Sequence, residues 1–150
     1  MAQYQQIDAS LFGPEHVRRY RETGGEVGYL WNGVPILLLT TTGRKSVEPR
    51  TTPLIFARDG ADLLVVASQG GAPTHPNWYL NLLDRPEAEV QVQADRFPVA
   101  ARTASDEERP RLWDVVRGPW PNYDVYQERT DREIPVVVLD RRRPSRASGS

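Results

Sequence analysis

Residues 39–54 read LTTTGRKSVEPRTTPL, and no other stretch constrains the fold as tightly. Three threonines end an apolar run, a turn presents Arg44 and Lys45, and Arg50 opens a second Thr-rich run. Thr, Ile, Leu and Val suit a pleated strand, while Gly43 and Pro49 punctuate the turn. The expected object is a β-hairpin whose loop carries three cations and several free backbone N–H groups. Such a loop can hold an anion by charge-assisted hydrogen bonds, and the planar fork of Arg matches phosphate or carboxylate. The same residues read equally well as a solvated cationic turn, because charge runs usually face water.

More short strands surround the hairpin. Ile36 to Thr42, Arg50 to Ala57 and Leu63 to Ser68 are strands by length and β-branched content, with an Asp59-Gly60 turn between the last two. Val90 and Val92 alternate with Glu89, Gln91 and Gln93, the signature of a half-buried strand; Asp95-Arg96 is the expected turn into Phe97 to Thr103. Ile134 to Leu139 is a last apolar strand. Helices are expected from Pro14 to Glu22, from His75-Pro76-Asn77 to about Asp84, from a Ser105/Glu108 capping box to Arg117, and from Pro121 to about Thr130. The order is mainly β, with helices between and after strands. That predicts an α+β antiparallel barrel and not a βαβ sheet. Residues 1–34 form an N-terminal segment with a short helix, 35–140 the barrel domain, and 141–150 a basic, disordered tail.

Composition removes whole classes of function. A net charge of −1 with 26% charged residues argues against a nucleic-acid binder, which is usually clearly basic. With no cysteine there is no disulfide, thiolate metal site or cysteine nucleophile. His16 and His75 stand far apart without metal spacing, so no metal site is expected. No apolar run is long enough to span a bilayer, and no signal-peptide core opens the chain, which makes a cytoplasmic place the default. The first helix is too short and weakly amphipathic for stable membrane anchoring, although peripheral contact stays open. Nothing assigns an oligomeric state.

No catalytic triad, P-loop or dinucleotide fingerprint occurs; Gly24-Gly25 and Gly70-Gly71 have the wrong spacing. His75, just before Pro76, reads as a structural residue at a helix start. Trp120, Tyr123 and Tyr126 follow one another at threes and spiral round one short helix. Aromatic residues at that spacing are more often core. Yet the flanking Asn122, Asp124 and Gln127 make this helix polar, and a wall that packs on a planar ligand while donating a proton would look the same.

Three blocks, LLLTTTGRKSVEPRTTPL, VVASQGGAPTHPNWYLNLLDRPEAEVQV and WPNYDVYQERTDREIPVVVL, closely resemble the deazaflavin-dependent nitroreductase family, split β-barrel oxidoreductases of actinobacteria that use coenzyme F-420, an 8-hydroxy-5-deazaflavin. The resemblance implies that Arg44, Lys45, Ser46 and Arg50 hold the anionic tail of the cofactor. It places Thr51, Thr52, Pro53, Leu54 and Ile55 beneath the ring system, Val66, Ala67, Ser68 and Gln69 at the ring edge, and Asn77, Trp78, Tyr79, Leu80 and Asn81 as a further cofactor block. Trp120, Tyr123 and Tyr126 would face the substrate, with Tyr123 also near the cofactor. Tyr126, Tyr123 and Ser68 are the hydroxyls implied to act at the reacting centre. The family usually has glycine after Lys-Ser, and this chain has Val47. A positive φ there would strain valine by about 1–2 kcal/mol.

The activity implied is hydride transfer from the reduced cofactor to a small electron-poor acceptor such as a quinone, enone or nitroaromatic, aided by a hydroxyl that meets the developing negative charge. Two alternatives stand beside it. An FMN-dependent split-barrel oxidase or reductase would need fewer cations for its single phosphate. A non-catalytic deazaflavin carrier would need the space over the ring closed.

Overall fold

The structure, a computed structural model, describes residues 13–141. In chain order it runs α1 (Pro14–Thr23), β1 (Leu30–Trp31), β2 (Val34–Thr42), β3 (Pro49–Ile55), β4 (Ala57–Asp59), β5 (Asp62–Val66), a single 3-10 turn at Gln69–Gly71, α2 (Asn77–Asp84), β6 (Glu87–Val92), β7 (Asp95–Thr103), α3 (Arg109–Arg117), α4 (Asn122–Glu128) and β8 (Val136–Arg141). The start of the N-terminal segment and, apart from Arg141, the tail expected to be disordered lie outside the described residues.

All strand pairs are antiparallel, in the order β1-β2-β6-β7-β8-β5-β4, with β3 on β2. Phe56 alone separates β3 from β4. Its buried ring points into the core and its N–H donates to Pro35 O at 3.2 Å. The chain bends there, leaves β2 and joins β5, which carries the antiparallel path round the interior. This is a split barrel: the strand pattern predicts the antiparallel barrel, and the family resemblance implies its split form.

Side-chain alternation divides the core. Leu37 and Leu39 of β2, Leu63 and Val65 of β5, and Val137 and Leu139 of β8 fill the interior with Phe56, Val90 and Val99. The intervening Leu64, Val66, Val136 and Val138 face outward against Leu112 and Val116 of α3 and the aromatics Trp120, Tyr123 and Tyr126. Ile36 and Leu38 pack against Tyr20 of α1. Strands buried on both faces read as continuous apolar runs, which is why these three segments were so visible in sequence.

Tyr20 fastens α1 to the barrel: its hydroxyl donates to Ile36 O at 2.9 Å and accepts from Gln93 N–H at 2.7 Å. Beside it, His16 Nε2 lies 2.6 Å from Gly28 O. A Cβ at Gly28 would fall 2.7 Å from the His16 ring, so this close approach requires glycine. The reciprocal bonds of the expected capping box form, with Glu108 N–H donating to Ser105 Oγ at 3.3 Å and Ser105 N–H to Glu108 Oε1 at 2.9 Å, but they close a turn and α3 itself begins only at Arg109. Arg102 and the Ser105 amide together hold the Glu108 carboxyl down at about 2.

Several boundaries differ from expectation for local reasons. The run Arg50 to Ala57 breaks in two at Phe56. The turn before β7 sits at Gln93-Ala94, with Gln93 in left-handed conformation (φ 56°), while Asp95 already pairs with Val92. Asp95-Arg96 is therefore strand, not turn. Leu83 is exposed, so the apolar residues that α2 buries are Trp78, Tyr79 and Leu82, with the polar Asn81 buried beside them.

Candidate active site

One cleft crosses the barrel face in two halves. The first, about 500 Å3, lies between the β2–β3 hairpin and α2 and is lined by Gly43, Arg44, Lys45, Ser46, Arg50, Thr52, Asn77, Trp78 and Asn81. The second, about 330 Å3, is lined by Trp31, Thr52, Pro53, Leu54, Ile55, Val66, Ser68, Gln69, Gly70, Pro76, Trp78, Trp120, Tyr123 and Tyr126. Thr52 and Trp78 line both, so the halves adjoin. Among the described residues no carboxylate lines either half.

In the cationic half, hydrogen bonds between Gly43 and Val47 (2.8 Å) and between Gly43 and Glu48 (2.8 Å) close the hairpin loop. Arg44 is braced against α2. Its backbone N–H and Nη1 donate to Asn81 Oδ1 at 3.2 and 2.9 Å, and Nη2 donates to Asn77 Oδ1 at 3.3 Å. Asn81 in turn donates to buried Thr41 at 3.1 Å. The guanidinium is thus pre-oriented, which lowers the entropy cost of meeting an anion. Arg50 Nη2 donates to Ser46 Oγ at 3.3 Å, and Lys45 is exposed with no hydrogen-bond or ion-pair partner among the described residues. Charges left open in this way are the ones a ligand can use.

Val47 adopts φ 62° and is 58% exposed. The loop keeps the left-handed conformation that suits glycine, and valine bears the strain. Val47→Gly is therefore expected to stabilise the protein by about 0.5–1 kcal/mol, the relief of left-handed strain less the added chain entropy of glycine. Urea denaturation reads the change directly; an unchanged or lower stability would mean that the loop carries no such strain.

In the aromatic half, α4 presents Tyr123 and Tyr126 edge to face, centroids 6.1 Å apart. Trp120 packs on Trp31 at 5.3 Å. The polar flank of α4 serves to anchor it: Asp124 accepts from Trp113 Nε1 at 2.7 Å and from Arg117 Nε at 2.8 Å. Gln127 joins Arg109, Ile134 and Arg132 by hydrogen bonds of 3.1, 2.9 and 2.8 Å. Burial, with Tyr126 beside it, pushes the Tyr123 phenol well above its ordinary value, so it stays protonated across the physiological range. Ser68 is buried at the end of the β5 run, and after it Gln69, Gly70 and Gly71 all take positive φ. A Cβ on Gly71 would lie 2.5 Å from Tyr126 O, so glycine there lets the loop press against α4.

Most expected site residues meet in this cleft, but four do not line it. Thr51 faces the opposite side from Thr52, bonded to Thr40 at 2.8 Å and to Arg21 at 3.0 Å, because neighbours on a strand alternate. Ala67 is fully buried in the barrel interior. Tyr79 also turns into the interior, its hydroxyl 2.7 Å from Thr103. Leu80 lies half-buried on α2 outside the cleft. Trp31, Gly43, Gly70 and Pro76 are additions. Trp31 had a signal, since Asn32-Gly33 is a strong two-residue hairpin turn and Trp31 pairs with Val34 across it.

A solved structure described as a pyridoxamine 5'-phosphate oxidase from Listeria innocua shares the fold at a TM-score of 0.51, with 15% identity over 72% of this chain and 84% of its own, a likeness of fold alone. A solved F420-H2 dependent reductase is much closer in sequence, 40% identical with a TM-score of 0.66 over 71% of this chain and 94% of its own. An F420H(2)-dependent quinone reductase of Mycobacterium tuberculosis is 48% identical over 131 residues, 85% of this chain and 88% of that protein. Residues 13–141 match the F420H(2)-dependent quinone reductase family, and the chain belongs to it.

Proposed function

We propose that this enzyme reduces a quinone with reduced coenzyme F-420, held along the two-part cleft with its anionic tail at the hairpin and its ring in the aromatic half. The observation that carries this placement is the polarity of two adjoining cavities that no carboxylate lines among the described residues. Arg44, Lys45 and Arg50 gather at one end, and Trp31, Trp120, Tyr123 and Tyr126 at the other. The donor set fits the cofactor, whose phosphate and glutamates need several cations and whose ring is planar. FMN, with one short phosphate, would leave part of the cation set unused.

When bound, the cofactor supplies a hydride to the acceptor. The remaining work falls to the chain. Ser46, Asn77 and Asn81 keep the tail-binding cations in place, and Thr52, Pro53, Leu54 and Ile55 form the floor. Val66 and Gln69 edge the ring end. Trp31 and Trp120 exclude water, which strengthens electrostatic contacts inside. Negative charge develops on the acceptor oxygen, and Tyr126, Tyr123 or Ser68 stabilises it by donating its O–H and then passing the proton. A cytoplasmic setting belongs to the same proposal.

Turnover tests it. Reduced cofactor mixed with a panel of quinones, enones and nitroaromatics should be re-oxidised fastest with a quinone, in proportion to protein. Binding of the cofactor without turnover of any acceptor would favour the carrier reading.

A further inference from the structure

Behind the Ser68–Gly70 wall of the aromatic half lies a guanidinium with no carboxylate partner among the described residues. Arg132 donates from Nε to Ala72 O at 2.9 Å, from Nη2 to Ser68 O at 2.8 Å, and from Nη1 to Ala67 O at 3.2 Å and His75 Nδ1 at 3.0 Å. It is half-buried, and no ion pair among the described residues includes it. Neighbouring Glu133 is exposed and reaches Arg109 at 3.7 Å instead. Burial, then the charge of Arg132, hold His75 below its usual value, so the imidazole is neutral and accepts at Nδ1.

A cation satisfied by carbonyls and a neutral ring keeps its full charge, and partial burial extends its reach. It also draws the negative ends of three carbonyl dipoles toward itself, among them that of Ser68 in the cleft wall. The other groups around this space do not oppose it. Tyr123 and Tyr126 are the titratable residues lining it, and Arg129, at Gly70 O (3.2 Å) and 5.5 Å from the Tyr126 ring, is a second cation, exposed and therefore screened.

We propose that Arg132 is a positioning residue that fixes the Ser68 wall through the Ala67 and Ser68 carbonyls and makes the aromatic end of the cleft electropositive, so that a planar ring bearing an acidic hydroxyl binds there as its anion. This rests on the preceding reading, in which that end takes the deazaflavin ring and its 8-hydroxyl is the acid. Ionisation releases one proton to solvent and spreads the charge over the ring; a nearby cation favours that state.

A pH titration of oxidised coenzyme F-420, read by the visible band of its ionised hydroxyl, tests this with the cofactor free and bound to saturating wild-type, Arg132→Lys and Arg132→Gln protein. The expected midpoint in the wild-type complex is lower than for free cofactor by about one pH unit, tenfold in the ionisation constant. Arg132→Lys should keep most of that displacement while binding more weakly, because an ammonium cannot reach all these acceptors. Arg132→Gln should lose it. A wild-type midpoint equal to or above that of free cofactor overturns the proposal whether or not the variants fold. So does a displacement that persists in Arg132→Gln. Absence of any cofactor binding by the wild-type protein would instead overturn the functional reading, and this one with it.

Discussion

Tyr126→Phe is expected to lower quinone turnover by up to about 10²–10⁴-fold, the range for loss of one proton donor, with fold and cofactor affinity preserved. The substitution leaves the ring, its burial against α3 and β8, and its edge-to-face contact with Tyr123 in place. Only the hydroxyl goes, and its proposed partner is the charge that develops on the acceptor. Contacts made only in the transition state affect turnover and not ground-state binding. Tyr123 sets the size of the effect. Its phenol is held protonated by burial and lines the same space, so it can take over part of the role. The Tyr123→Phe/Tyr126→Phe pair should then lose more than Tyr126→Phe alone. Unchanged rates in both, with quinone, enone and nitro acceptors, would reduce α4 to packing.

At the other end of the cleft, Lys45→Ala and Arg50→Ala should each weaken binding of coenzyme F-420 about tenfold at low salt, the lower part of the range for hydrogen bonds to charged groups. Both side chains are exposed, so the penalty should shrink as ionic strength rises. Arg44→Ala should behave differently. Its guanidinium also bridges the hairpin to Asn77 and Asn81, so its loss should reduce thermal stability as well as affinity. If Lys45→Ala and Arg50→Ala both bind like the parent protein at low salt, the loop is a solvated turn and the tail lies elsewhere.

The barrel was legible because strands buried on both faces cannot hide their apolar runs, and because Pro and Gly punctuate the helices. The hairpin was legible for its cations. What the sequence concealed has physical causes. Phe56 reads as one more strand residue, and only tertiary pairing reveals that the chain changes partner there. Gln93 turns the chain in a left-handed conformation that glutamine rarely announces. Arg132 sits in Asp131-Arg132-Glu133, which reads as a solvated charge run, yet its guanidinium reaches back across many residues to three loop carbonyls. Thr51 and Ala67 were assigned with their neighbours as a block, whereas strand alternation sends adjacent side chains to opposite faces.

The most direct measurement is the affinity of the purified protein for coenzyme F-420 and for FMN under identical low-salt conditions. Two adjoining cavities that no carboxylate lines among the described residues, with Lys45 and Arg50 exposed at one end, predict far tighter binding of coenzyme F-420. Equal or tighter binding of FMN would contradict the account.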